Sequence, residues 1–309
     1  MRIFVTGASG WIGSAVVPEL IGAGHQVVGL ARSESSAAAL TEAGAEVVRG
    51  TVDDLGVLRE AAVSADGVIH LAFKHDIAFS GDFRGAAEAD RRAVDAFGDV
   101  LAGTDRPLVI ASGLAGLTRG RAATERDMPE VDGSPTSVRA ATSGATLALA
   151  SRGVRSVVVR LAPTCHGEGD PGFVATLVAI ARARGVSGYI GDGANRWAAV
   201  HRLDAARLFR LAVESAPAGS VLHGAAEEGV ALRTIAEVIG RRLGIPVASV
   251  APEAAAEHFG WAAGFVGMDS AASHALTAEL LDWRPEGLGL LEDLEKGYYF
   301  NTPTPAVTG

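Results

Sequence analysis

Thr6-Gly7-Ala8-Ser9-Gly10-Trp11-Ile12-Gly13 is the stretch on which the fold of this chain turns. It follows the strand-like run Ile3–Thr6 and leads into a helical pattern over Trp11–Gly22. In that context, glycines at this spacing form the phosphate-binding turn of a βαβ unit. Gly7 permits the tight turn, Gly10 lets backbone approach a pyrophosphate, and Gly13 lets the helix pack on the strand. The helix start offers free N–H groups and a partial positive charge to phosphates. With 39 glycines in 309 residues, glycine spacing alone decides little; strand, spacing and helix together carry the reading. Contacts to a dinucleotide are expected from Gly7, Ser9, Gly10, Trp11, Ile12 and Gly13, the competing reading being a merely structural βα turn.

Outward from this turn the first 160 residues alternate. Apolar, β-branched runs lie at Ile3–Thr6, Gln26–Leu30, Glu46–Val48, Gly67–Leu71, Pro107–Ala111 and Arg155–Arg160. Helical patterns separate them at Trp11–Gly22, Glu34–Ala43, Leu55–Ser64, Arg84–Ala102 and Ser137–Ser151. Continuous apolar strands are buried on both faces, and this alternation implies right-handed crossovers. The expected fold is α/β, a doubly wound parallel sheet, with a smaller, mostly helical C-terminal substrate lobe. Beyond residue 165 glycine and proline become frequent. Helices are expected at Phe173–Arg184, Asp204–Ser215, Leu232–Leu243, Glu253–Phe259, Ser270–Leu281 and Leu288–Tyr299, and strands at Ser220–His223 and Pro246–Val250. Residues 1–165 form the expected nucleotide-binding domain, to which 200–223 return. Residues 166–199 and 224–300 form the lobe, and 301–309 a flexible tail.

Composition narrows the function. Hydrophobic residues make up 48 %, charged residues 20 %, and the net charge is −9. That suits a buried core and argues against nucleic-acid or anionic-membrane partners, which need a surplus of Lys and Arg. A lone cysteine, Cys165, excludes an intrachain disulfide and a Cys-rich metal site, and no metal is expected. The only lysines are Lys74 and Lys296, so no Gly-Lys-Ser/Thr phosphate loop exists; Gly-x-Ser-x-Gly and His-Glu-x-x-His are also missing. No apolar run approaches the ~18 residues of a transmembrane helix. The chain enters a strand without a signal-peptide pattern, so a cytoplasmic location is expected.

The end of the second strand speaks to cofactor type. An acidic residue there would bond the ribose of NAD. This chain has Arg32-Ser33, which suit a 2′-phosphate, so NADP is favoured over NAD unless Arg32 is simply solvated. After the third strand, Asp53 is a candidate acceptor for the adenine amino group, and Asp54 a candidate cap for the next helix.

These features resemble the extended short-chain dehydrogenase/reductases, the NAD-dependent epimerase/dehydratase group. The likeness rests on residues 6–13, on Val68-Ile69-His70-Leu71-Ala72, on Ser112 and on Gly191-Asp192-Gly193…Arg196…Val200-His201…Asp204. It implies that Leu71 and Ala72 lie beside the nicotinamide ribose and that Ser112 is the active-site serine. It also implies a Tyr-x-x-x-Lys pair, whose slots fall near Ala140 and Gly144; none of Tyr189, Tyr298 and Tyr299 has a lysine four residues on. The acid/base tyrosine and its lysine are missing, so the chain resembles an atypical member.

Three segments should converge where ligands bind such sheets, outside the carboxyl ends of the strands. They are Phe73-Lys74-His75-Asp76, Ser112-Gly113-Leu114 and Pro163–Asp170. His166 and His75, the latter oriented by Asp76, are the acid/base candidates, because imidazole titrates near neutral pH. Each has a bland reading as a packed or solvated loop residue. Lys74, Arg139, Tyr189 and Arg196 are candidate substrate contacts; His201 and Asp204 read as structural, with Asp204 capping a helix. Cys165 has no base partner in sequence. Phe259, Trp261, Phe265, Val266 and Met268 read as core, as an apolar pocket lining or as a dimer contact. Three functions fit. The first is an NADP-dependent oxidoreductase on a small carbonyl or alcohol. The others are a non-redox isomerase, epimerase or lyase on the same fold, and an NADP-sensing binding protein. The family commonly forms homodimers through the helices after its fourth and fifth strands.

Overall fold

The structure, a computed structural model, describes residues 1–118, 120–129 and 135–301. Its strands are β1 (Arg2–Thr6), β2 (Gln26–Ala31), β3 (Glu46–Arg49), β4 (Gly67–His70), β5 (Pro107–Gly113), β6 (Arg155–Leu161), β7 (Thr164–His166), β8 (Ser187–Ile190), β9 (Arg196–His201), β10 (Ser220–Gly224), β11 (Glu227–Ala231) and β12 (Val247–Val250). The first helices in chain order are α1 (Gly13–Gly22), α2 (Glu34–Glu42), α3 (Leu55–Val63), α4 (His75–Phe79), α5 (Phe83–Leu101) and α6 (Pro135–Ala148). They are followed by α7 (Phe173–Arg184), α8 (Arg202–Ser215), α9 (Leu232–Leu243), α10 (Ala255–Phe259), α11 (Ala263–Val266), α12 (Ala275–Leu281), α13 (Leu290–Glu295) and α14 (Tyr298–Asn301).

Seven strands form one parallel sheet in the order β10-β6-β5-β4-β1-β2-β3. The doubly wound expectation holds. The chain runs from β1 outward to β3, then returns to the other side of β1 with β4. That reversal opens a crevice between β1 and β4, where such sheets take ligands. Strand alternation builds the layers. Ile3, Val5, Ile69, Val109 and Val157 pack with α1 and α8 through Val16, Leu20, Leu208 and Phe209. Phe4, Val28, Val68, Leu108 and Val158 point the other way, onto Leu58, Phe97 and Leu101 of α3 and α5. Each such side chain contributes roughly 1.5–3 kcal/mol of burial. A third cluster joins α7, α9 and α13 around Trp197, Ile235, Phe259 and Leu290. β11-β9-β7 and the pair β12-β8 are small sheets beside it. Among the described residues, no helix is long and apolar enough to cross a membrane.

Several expected elements differ. The first helix begins at Gly13 rather than Trp11, because Gly10 N–H bonds Gly7 O at 3.0 Å and closes a turn instead. The loop expected after β4 contains the short helix α4. The helix expected over Ser270–Leu281 is shorter, since Ser270 bridges Trp197 in extended backbone and helix starts only at Ala275. Leu288–Tyr299 is broken into α13 and α14 by Gly297, whose φ is +89°. Strands β7, β8, β9 and β11 were not expected; their short polar-interrupted sequences lack the strong apolar signal of the main sheet. The tail beyond Asn301 lies outside the described residues.

The β1–α1 turn is held by steric contact. A Cβ on Gly13 would sit 2.1 Å from Gly7 O and 2.7 Å from Ala8 backbone. Gly7 has φ +65° and its Cβ would lie 2.7 Å from Ala72 N. At Gly22, within α1, nothing lies within 4 Å of an added Cβ. Gly13→Ala is therefore expected to lower Tm by roughly 5 °C or more, while Gly22→Ala raises stability by about 0.5–1 kcal/mol. Thermal denaturation of the two variants checks this; equal Tm values would remove the close-approach argument.

Candidate active site

The loop Gly7–Ile12 leaves the N–H groups of Ser9, Trp11 and Ile12 without an acceptor among the described residues, at the start of α1. Ser9 and Gly10 are exposed on the crevice side, and Gly10 meets only Gly7 O, at 3.2 Å from an added Cβ. Such a cradle fits a pyrophosphate. Trp11 anchors it: its Nε1–H donates to Cys165 O at 2.8 Å, and the Arg202 guanidinium lies 4.0 Å over its ring. Arg202 also reaches Ser14 Oγ at 3.0 Å.

Behind the loop is a buried relay that the sequence did not single out as functional. Thr6 Oγ1 lies 2.6 Å from His70 Nδ1, and His70 Nε2 lies 3.1 Å from Asp90 on α5. All three are buried, and Thr6 Oγ1 also accepts from Ala72 N–H at 3.3 Å. The only sequence signal is a histidine in an apolar strand and an aspartate on an otherwise apolar helix face. Leu71 and Ala72 lie directly after β4, against Gly7.

At the tip of β2, Arg32 is exposed, 3.7 Å from Asp76. Ser33 caps α2, accepting from Ser36 N–H at 3.1 Å, and its hydroxyl also meets those of Ser35 and Ser36. Arg49, unremarked in the sequence, donates to Ser33 O at 2.6 Å. Asp53 is held by Lys74 at 2.5 Å and Arg92 at 3.5 Å. Lys74 thus faces Asp53, not the ends of β5 and β6. Asp54 does not cap α3; it accepts from Thr51 N–H at 2.7 Å and Thr51 Oγ1 at 2.9 Å, because its side chain turns back over the loop.

At the ends of β4 and β5 the structure assembles a second group. Ser112 Oγ accepts from Ser143 Oγ on α6 at 2.9 Å. Arg139 sits one turn earlier on α6, its guanidinium 4.1 Å over the Phe73 ring, with Nε buried and unpartnered. Phe73 also meets His75, with ring centroids 5.0 Å apart, and Phe83 at 5.7 Å. The protein packed around His75 and the nearby charge of Arg139 push its pKa below the ordinary value. Arg139 and Ser143 are four residues apart, the interval of the missing pair, one position before the slots at Ala140 and Gly144.

His166 stands elsewhere. It is fully buried in β7; Nδ1–H donates to Asp293 at 2.8 Å, and Nε2 has no partner. Tyr298 donates to the other Asp293 oxygen, and the His201 ring is 5.5 Å away. Burial alone would raise the Asp293 carboxyl, but His166 and Tyr298 outweigh it and hold it below the usual range. Beside it, Tyr299 donates to Asp170 at 2.9 Å and accepts from Gly167 N–H at 3.3 Å. Burial lifts Asp170 to about 6 despite the hydrogen bonds it accepts from Gly172 N–H, at 2.7 Å, and from Tyr299. No contact among the described residues joins His166 to Ser112.

The remaining candidates are committed locally. Arg196 pairs with Asp269 through two bonds of 3.1 and 2.9 Å. Tyr189 packs against Gly193 and under Arg233. Asp204 does not cap α8. His201 does, accepting from Leu203 N–H at 3.4 Å, while Asp204 binds the N–H groups of Glu286 and Gly287. Burial pushes the Cys165 thiol up, away from reactivity. Phe259 and Val266 are core; Trp261 is exposed.

Asp170 carries a pH signature. Its folded pKa of about 6 exceeds its ordinary 3.8, so the folded protein binds that proton more tightly than the unfolded chain. Stability from this group therefore falls as pH rises from about 4 to about 6, by about 3 kcal/mol in all. Asp170→Asn keeps an acceptor for Tyr299 and removes the slope. Denaturant unfolding at pH 4 and pH 7 should show the variant gaining on the parent by roughly that amount; a pH-independent difference refutes the assignment.

Comparison with known proteins agrees with this architecture. The NAD dependent epimerase/dehydratase family profile matches residues 3–112. Along its whole length the chain is similar to the "Uncharacterized protein C2A9.02" of Schizosaccharomyces pombe, at 47 % identity over 302 residues, covering 97 % of this chain and 100 % of that one. It is 43 % identical over 303 residues to the "Uncharacterized protein YLL056C" of Saccharomyces cerevisiae, covering 97 % and 100 %. Among solved structures, a dTDP-glucose 4,6-dehydratase of Streptomyces venezuelae with NAD bound superposes with a TM-score of 0.76 at 20 % identity, covering 96 % of each chain. With its phosphate-binding turn, switch point and strand-end serine, the chain belongs to the NAD dependent epimerase/dehydratase family.

Proposed function

We propose that the chain is an NADP(H)-dependent oxidoreductase acting on a small carbonyl or alcohol, with His75 in place of the absent tyrosine. The observation that carries this reading is the Ser112–Ser143 hydroxyl pair at the end of β5, with Arg139 one turn before Ser143 on α6 and packed on Phe73, which in turn meets His75. A dinucleotide in the crevice would lay its pyrophosphate on the Gly7–Gly13 turn and its nicotinamide ribose beside Leu71 and Ala72. When bound, it supplies or accepts the hydride. The two serines hold the reacting oxygen. In the oxidative direction His75 takes the hydroxyl proton; in the reductive direction its imidazolium returns it. His166, sealed behind Asp293, serves the packing of α13 and α14 in this reading.

The 2′-phosphate would meet Arg32 together with the hydroxyls of Ser33, Ser35 and Ser36 at the start of α2. A bidentate Arg–phosphate contact is among the stronger charge-assisted bonds. NADP(H) is expected to bind several-fold tighter than NAD(H), and Arg32→Ala to remove most of that preference. Gly10→Val should abolish binding of both with a native circular dichroism spectrum. Calorimetric titration with the two nucleotides decides; equal affinities in the parent protein overturn the NADP assignment.

Because the pKa of His75 is lowered, alcohol oxidation should have its acid limb below the ordinary histidine value of about 6.5 and a plateau above it. His75→Asn should cost ~10²–10⁴-fold in turnover and erase that limb, leaving NADP affinity unchanged. His166→Asn should lower Tm without moving the limb. Retained activity in His75→Asn defeats the proton-transfer role. Product formed from a substrate panel with no net change in absorbance at 340 nm would instead favour an epimerase or lyase.

A further inference from the structure

Arg139 is anomalous in a chain whose arginines mostly pair. It is largely enclosed, and among the described residues none of its N–H donors meets an acceptor and no carboxylate lies within ion-pair distance. Asp90, the acid whose charge it feels, is already bonded by His70 at 3.1 Å. What holds the guanidinium is the face of Phe73, 4.1 Å away, which fixes its plane and leaves its donor edges uncommitted. A buried polar group without partners is costly, so such groups normally have one when the protein works.

Its position limits what that partner is. Arg139 and Ser143 occupy i and i+4 of α6, hence one face, with Cβ atoms about 5–6 Å apart. Ser143 bonds Ser112 across that face. A planar cation and a pair of hydroxyls are therefore presented side by side to the same crevice. We infer that Arg139 is the anion clamp of the substrate site, and that the substrate is a short oxo acid or hydroxy acid. Its carboxylate lies on the guanidinium, and its carbonyl or hydroxyl oxygen, one or two carbons away, lies on Ser112 and Ser143. The inference deepens the redox reading above by naming the substrate class. The carboxylate forks onto the guanidinium through two parallel N–H···O bonds, a geometry that lysine does not reproduce.

The test does not need turnover. Malonate is the probe and neutral malonamide its isosteric control, each titrated calorimetrically into the full chain. Gly10→Val serves as background, so that binding at the phosphate turn is separated. Malonate is expected to bind the parent and Gly10→Val saturably, and malonamide at least tenfold more weakly. Arg139→Gln should weaken malonate at least tenfold and Arg139→Lys less, with Tm of Arg139→Lys reporting that the fold is intact. Undiminished malonate binding in Arg139→Gln, or malonamide bound as well as malonate, overturns the clamp. Malonate bound through Arg139 with no oxo acid reduced at 340 nm sinks the redox reading and spares the clamp. Reduction of short oxo acids by Arg139→Gln at the parent rate and the parent KM sinks the clamp and spares the redox reading.

Discussion

The contact between Gly13 and the Gly7 carbonyl is the constraint on which the rest of the site depends. Because no Cβ fits there, α1 can start only a few ångströms from the end of β1, and its first N–H groups face the crevice. The same closeness presses Gly7 onto Ala72, so the end of β4 is positioned by the end of β1. The Thr6–His70–Asp90 relay makes that pairing polar as well as steric, running from the phosphate turn through β4 into α5. In a sealed interior each of these hydrogen bonds is hard to give up, since the freed group would have no water to replace its partner. Everything past β4, including Phe73 and His75, hangs from this junction.

A second polar junction ties the end of the chain to the sheet. Asp293 and the tyrosines of α14 close over His166 and Asp170, and Trp11 reaches β7 through Cys165 O. The phosphate turn is thus held from one side by helix packing and from the other by β7, whose His166 is bonded in turn by Asp293 of α13. A further cluster joins Thr277 to Glu125 and Arg160 to Asp127 O, so α12 and β6 are linked by buried polar groups too. These contacts stabilise only as complete sets; a half-satisfied buried network costs more than an apolar one.

The parallel sheet was legible because it is a local property repeated five times before a sixth apolar run: apolar run, glycine or polar break, helical pattern. The turn at residues 6–13 was legible because its glycines answer to backbone geometry alone. The site was less so. His166 drew attention as a titratable residue in a glycine-rich loop, but its partner lies 127 residues away, and burial by a distant helix leaves no mark on local sequence. Ser143 drew none, since a hydroxyl inside a helix is ordinary until a strand end is placed opposite it. Arg139 was visible as a charge facing the crevice, yet its missing counter-ion is a tertiary fact. Asp54 and Asp204 read as caps because their spacing allowed it; the N–H and hydroxyl of nearby Thr51 took the first carboxylate, and the distant N–H groups of Glu286 and Gly287 took the second.

Replacing tyrosine and lysine by serine and arginine changes what each group can do. A lysine can hold a ribose and also depress the pKa of a neighbouring phenol. A guanidinium, with pKa above 12, keeps its proton throughout and acts purely as a fixed charge and donor fork. A serine hydroxyl orients oxygen but is a poor acid. In the redox reading proposed above, proton transfer falls to a separate group, and the fixed charge beside it tunes that group. The structure has such a pair: burial first, and then the charge of the cation stacked on Phe73, lower the pKa of the imidazole that meets the same ring edge-on. An anion on Arg139 would offset part of that lowering and raise His75 toward its ordinary value. In that reading, binding of substrate charge and readiness of the proton are coupled through Phe73, the ring that both side chains meet.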